Sequence, residues 1–116
     1  MNSDFKQSLQ DCLYLKRKES YEKVQISDIL YVEACGSSLR VATLSGRSYV
    51  LSINLKHFKM QVHSDDLVRV HRSFVVNLRH IEAISGRVLS VNGKNIPYSP
   101  RFVPAIGSLL PVLRSM

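Results

Sequence analysis

Tryptophan is absent from this 116-residue chain, cysteine occurs twice, and acidic residues are outnumbered by basic ones, 9 to 16. Each scarcity excludes something. Cys12 and Cys35 make no CxxC pair and no cluster with a histidine. A structural zinc site takes about four N or S ligands, so none is expected. A disulfide-stapled mini-domain is equally ill matched, and the two thiols are expected to be buried or half-buried. No apolar run approaches the roughly 18–20 residues of a membrane span. The opening MNSDFKQSLQD lacks the basic-then-apolar order of a signal peptide. A membrane protein and a secreted precursor are therefore disfavoured, and a cytoplasmic location is expected.

Catalytic patterns are missing as well. His57, His63, His71 and His80 form no HExxH, HxxxH or His/carboxylate cluster. There is no GxSxG elbow, no SxxK and no glycine-rich phosphate loop; Gly93–Asn95 reads as a hairpin tip. No enzyme, metal or cofactor is expected.

What is present is an ordinary globular core and an uneven charge. Apolar residues make up 45% and charged residues 22%, which suits a single domain of this length. Residues 1–36 hold five bases and six acids, a net of −1, whereas residues 37–116 hold eleven bases and three acids, a net of +8. From Leu67 onward the only acid is Glu82, beside Arg69, Arg72, Arg79, Arg87, Lys94, Arg101 and Arg114. Arginine's planar fork suits phosphate and guanine better than lysine's ammonium does. Like charges repel within a fold, so a polyanionic partner is the economical explanation.

Period-two alternation and turn dipeptides predict strands at Cys12–Lys18, Val24–Ser27, Ile29–Cys35, Leu39–Leu44, Arg47–Ile53, Arg87–Val91 and Asn95–Tyr98. Asn92–Gly93 is the strongest hairpin signal. The class is mostly β, an antiparallel sandwich or barrel. Leu55, Phe58 and Val62 share one face of a short amphipathic helix that Asn54 caps. Phe102, Ile106, Leu109, Leu110 and Leu113 predict a C-terminal helix with Ser99 as N-cap and Pro100 at its first position. Free amides at that helix start would suit a phosphate, with Arg101 adding a charged fork. Residues 1–10 read as a leader, with Phe5, Leu9 and Leu13 on one stripe, ahead of a domain at 11–116.

The segment RVHRSFVVN, Arg69 to Asn77, does not read as one strand, because bases would fall on both faces. Arg72 and Ser73 fit a bend, from which a guanidinium and a hydroxyl project together. Phe74, Val75, Val76 and Leu78 anchor it. His71 reads as structural or phosphate-contacting, and Asn77 as satisfying backbone groups at the bend. Phe58 and Ile81 read as core.

DILYVEACG at Asp28–Gly36, Leu55 and Phe58 in the helix, LVRVHRSFVVNLRHIEAI at Leu67–Ile84 and VNGKNIPYSPR at Val91–Arg101 together resemble the LytTR domain. That family is the DNA-binding output module of many bacterial response regulators. The likeness spans about residues 13–113, and its R-x-H-x-S-[FY]-x-V-N core is specific. It implies an elongated antiparallel β-sandwich of about ten short strands with one short internal helix, which binds double-stranded DNA through loops. Three regions would face the duplex: Ser37, Ser38 and Arg40 after Glu33–Ala34; Arg72 and Ser73 at the bend; and Ser99 with Arg101. Leu39 departs from the asparagine, lysine or histidine that members often carry there. Arg72 stands where some members have asparagine, a change that would favour guanine over adenine. The resemblance also implies two copies on direct repeats, a homodimer formed on DNA, and an upstream receiver or sensor domain. A basic β-domain for protein interaction or dimerisation is the rival reading. Single-strand binding on an OB-like barrel is weaker, since the aromatics fall mostly on strand positions expected to be buried.

Overall fold

The structure, a computed structural model, describes residues 11–113 and Ser115. The expected leader and its Phe5–Leu9 stripe lie outside the described residues. Ten short antiparallel strands form three sheets in an elongated body of 52 × 34 × 26 Å. β1 (Cys12–Arg17) and β2 (Ser20–Gln25) make a hairpin, turning at Lys18, whose φ is 57°. β3 (Ile29–Cys35), β4 (Ser38–Thr43), β5 (Ser48–Leu51), β6 (Leu67–His71) and β7 (Phe74–Asn77) form the central sheet in the order β5-β4-β3-β7-β6. β8 (Ile81–Ser85), β9 (Val88–Val91) and β10 (Lys94–Pro97) form the third, ordered β10-β9-β8. Asn92 and Gly93 both take positive φ between β9 and β10, the conformation that the Asn-Gly pair predicts. Pro97 is tolerated because β10 is an edge strand.

The central sheet is covered on both faces, and the alternation of its residues shows it. Val32, Leu39, Val41, Leu67 and Val75 pack with Leu15 and Val24 of the hairpin and with the helix. Tyr31, Phe74 and Val76, their strand neighbours, point the other way onto Leu89, Val91 and Ile96 of the third sheet. That double burial explains why Ile29–Val32 reads as a continuous apolar run.

The helix, α1 (Leu55–Gln61), forms as expected: Asn54 Oδ1 accepts from His57 N at 2.8 Å, and Leu55, Phe58 and Val62 are buried. Lys59 ties its outer side to β6, donating to Leu67 O at 2.5 Å and Ser64 O at 3.4 Å. Burial at that place lowers the ammonium's pKa from its ordinary value.

The C-terminal helix does not form. Ser99 starts a single turn, accepting from Phe102 N at 3.0 Å and Val103 N at 2.9 Å. Pro104 ends it: it lacks the N–H that would bond to the carbonyl of Pro100, and it biases Val103 away from helical angles. Only a 3-10 turn at Ile106–Ser108 follows, before Pro111. Val103, buried in the second core, anchors the segment instead.

Two other expectations are corrected. Cys12 is buried, but Cys35 is exposed, at the end of β3 beside the turn. Asn77 does serve backbone groups, at the opposite end of β7 from the bend. Its Nδ2 donates to Ile26 O (3.1 Å) and Ile29 O (2.9 Å), and its Oδ1 accepts from Arg79 N (3.0 Å). No helix among the described residues is long and apolar enough to cross a membrane.

Candidate nucleic-acid interface

Strand pairing gathers distant segments at one end of the central sheet. The pairs Cys35↔Ser38, Leu39↔Leu51, Glu33↔Phe74 and His71↔Phe74 bring together the β3–β4 turn, the passage from β5 into α1, and the Arg72–Ser73 bend. Ser99 N donates to Val70 O at 2.8 Å, which adds the segment after β10 to the same end. Gly36 sits at φ 61°, a conformation that favours glycine and turns the chain tightly there.

The bend forms as the residue pattern predicts: β6 stops at His71 and β7 begins at Phe74. It is held from three sides. Ser73 N donates to His71 Nδ1 at 3.1 Å, and Ala34 N donates to Ser73 O at 2.9 Å. Arg69 crosses beneath it, with Nε donating to His71 O at 3.3 Å and Nη2 to Arg72 O at 2.8 Å. Its guanidinium carbon lies 4.9 Å from the centre of the Phe102 ring, so the bend and the Ser99 segment share one clasp. Through its Nδ1, His71 helps to hold the bend.

A cleft of about 310 Å³ opens at this end, lined by Gly36, Ser37 and Ser38 of the turn, Asn54 and Lys56 at the start of α1, and Arg69 and Arg72. Three cations and no carboxylate border it. Arg72 is exposed and Ser73 half-buried. Ser99 Oγ accepts from Arg101 N at 3.3 Å, and the guanidinium carbon of exposed Arg101 lies 5.9 Å from the centre of the Phe102 ring.

Arg40 differs from the other expected residues. It alternates with Leu39 along β4, so it faces the third sheet, away from the cleft. Its Nη2 donates to Glu33 Oε1 at 3.3 Å and to Tyr31 Oη at 3.4 Å. The Glu33 bond raises its pKa above the ordinary arginine value. Lys94 reaches the same carboxylate at 3.5 Å. Ser37, Ser38 and Arg72 thus share a cleft, Ser73 is hydrogen-bonded to its wall at Ala34, Ser99 is tied to β6 through Val70, Arg101 stacks with Arg69 on the Phe102 ring, and Arg40 is engaged elsewhere.

Sequence reasoning missed Lys56 and Arg69. The signal for Lys56 was its place just inside a capped helix that follows a strand. The signal for Arg69 was the first position of the R-x-H-x-S-[FY]-x-V-N pattern, although only the fold shows that its guanidinium reaches past the bend.

A β framework that gathers cations at one end, around a cleft that no carboxylate lines, defines a class: nucleic-acid-binding domains. Within it, this chain belongs to the LytTR DNA-binding domain family, whose model matches residues 8–110. It is 31% identical over 104 residues to the sensory transduction protein LytT of Bacillus subtilis, covering 84% of this chain and 43% of that protein. It is 34% identical over 105 residues to accessory gene regulator protein A of Staphylococcus epidermidis, covering 87% and 43%. A solved LytTr DNA-binding domain from Bacillus cereus superposes with a TM-score of 0.71 at 27% identity, over 85% of this chain and 95% of that one. The chain spans less than half the length of these curated relatives.

Proposed function

We propose that this domain binds duplex DNA sequence-specifically and serves as the output module of a bacterial transcriptional regulator, acting in the cytoplasm where the chromosome lies. The observation that carries this reading is the carboxylate-free cleft, where Lys56, Arg69 and Arg72 converge with the β3–β4 turn. Arg72 projects to a base edge and favours guanine O6/N7. Ser37 and Ser73 donate to phosphate, Ser38 holds the turn by donating to Cys35 O at 3.1 Å, and Ser99 with Arg101 contact the backbone on the flank. Arg40 contributes by fixing Glu33 and β3 rather than by reading a base. Two copies on direct repeats, meeting as a homodimer only on DNA, suit a domain whose contacts come from one end. The curated relatives are more than twice as long, which leaves room for a receiver or sensor domain in the whole protein.

Salt dependence tests the reading. With five to seven phosphates neutralised, log K against log salt falls with a slope of about −4.5 to −6. A flat slope rejects duplex binding. Site selection from a random duplex pool then tests specificity and repeat spacing together; an unenriched pool reduces the domain to a non-specific binder.

A further inference from the structure

The outer face of the β1–β2 hairpin is not used by the cleft, and its composition is unusual for a surface turned to solvent. The register places Tyr14 opposite Lys23 and Lys16 opposite Tyr21, a checkerboard of two rings and two ammonium groups. Tyr14 is 56% exposed and Tyr21 66%, and Val50 on neighbouring β5 is 64% exposed. Between hairpin and β5 runs a groove of about 620 Å³ with an apolar floor of Leu15, Leu51 and Ile53, and with Lys16 and Lys18 on its rim. No carboxylate lines it. Lys16, Lys18 and Lys23 form no ion pair among the described residues.

Large exposed rings and a valine around an apolar trough are costly to keep wet, and such patches mark docking sites. The charge selects the occupant. A second copy of the chain in an isologous contact would set these lysines against themselves, which repels. Nucleic acid fits poorly: the bases on this face are all lysines, whereas the cleft adds Arg69 and Arg72 to Lys56, and an aliphatic floor offers a phosphodiester nothing. What fits both trough and rim is an acidic polypeptide segment with apolar side chains on one face. We infer that the hairpin–β5 groove is a docking surface for such an acidic amphipathic segment of another protein. The groove reaches Ile53, which also lines the cleft, so a bound partner lies beside the DNA.

The test is a titration of the nitrogen-15-labelled domain with a synthetic peptide alternating glutamate with leucine and phenylalanine. Amide signals of β1, β2 and β5 are expected to shift, and to shift equally when a short duplex already occupies the other end. Tyr21→Ser combined with Lys16→Gln should weaken peptide binding about tenfold while leaving melting temperature and duplex affinity unchanged. Shifts confined to Gly36–Ser38 and the Arg72 bend, or displacement of the peptide by duplex, overturn the inference. A single-stranded oligothymidine that takes the hairpin face more tightly than the peptide also overturns it, making this a nucleic-acid surface. Concentration-dependent self-association abolished by the double variant does the same in favour of a second copy.

Discussion

The two ends of the central sheet treat their arginines differently. At the cleft end Arg69 gives its hydrogen bonds to backbone carbonyls, and neither it nor Arg72, Arg101 and Lys56 has a carboxylate partner among the described residues. At the far end Arg79 pairs with Asp66 at 3.0 Å by the β6 edge, and by the β5 edge Arg47 reaches Glu22 at 2.8 Å. The far end also holds the buried amide of Asn77, which stitches β7 to the turn before β3. One end spends its polar chemistry on holding the chain together. The other leaves positive charge open at a place where the backbone is already fixed, so a ligand meets it without reorganisation.

This division is broken most directly at Asn77. Asn77→Ala removes three hydrogen bonds, one of them to an Ile26 carbonyl that keeps the Ile29 amide as donor, and should cost about 2–4 kcal/mol of stability. Denaturant unfolding measures it. Duplex affinity of the fraction that remains folded should be unchanged. An affinity loss in fully folded protein would mean that the two ends are coupled.

Arg72→Ala is the converse. It should cost about 1–3 kcal/mol of binding on the selected site and relax preference at one base pair. The melting temperature should stay where it was, because the side chain is exposed. Equal losses on selected and random duplex would make Arg72 a backbone contact instead.

The same division explains what was legible in the sequence. Strands, hairpin tips and α1 were readable because they depend on local alternation, on Asn92–Gly93 and on the Asn54 cap. The Arg72 bend was readable because a basic residue on each phase contradicts a strand packed on a core. The tail was misread because its apolar stripe at helical spacing outweighed one residue, Pro104, whose missing N–H decides the outcome. The pairing of Arg40 was hidden for another reason. Its partner Glu33 lies seven residues away in sequence but directly across the β3–β4 ladder, and only pairing reveals that it is occupied. Asn77 was expected to be architectural, yet its targets, Ile26 and Ile29, are about fifty residues distant. Local chemistry was therefore visible, and long-range satisfaction was not.

Ser99→Ala sharpens the comparison with a smaller effect, since Ser99 belongs to both kinds of chemistry. Its hydroxyl accepts from Arg101 N, so its loss should lower stability by roughly 0.5–1 kcal/mol and weaken duplex binding together. Calorimetry and a binding titration on the same variant read both. Unchanged values in each would show that the turn is held by Val103 and the Val70 contact alone.

The smallest effect is the one that pH resolves. Glu22 accepts from Tyr49 Oη at 2.9 Å and from Arg47 Nη1 at 2.8 Å, with Arg17 at 3.6 Å. The tyrosine bond first, and then the arginines, hold its carboxyl below the ordinary value of 4.5. A carboxylate whose folded pKa lies below its unfolded one stabilises fully above the unfolded value and loses that contribution as pH falls through the folded value. The melting-temperature advantage of the native chain over Glu22→Gln should therefore be largest near neutral pH, shrink below 4.5 and vanish in stronger acid. Duplex affinity measured near neutral pH should be the same for both proteins, since Arg47, freed of its partner, lies away from the cleft. A stability gap independent of pH would mean that Glu22 acts through shape rather than charge, and a gain in duplex affinity would extend the DNA-facing surface to the far end.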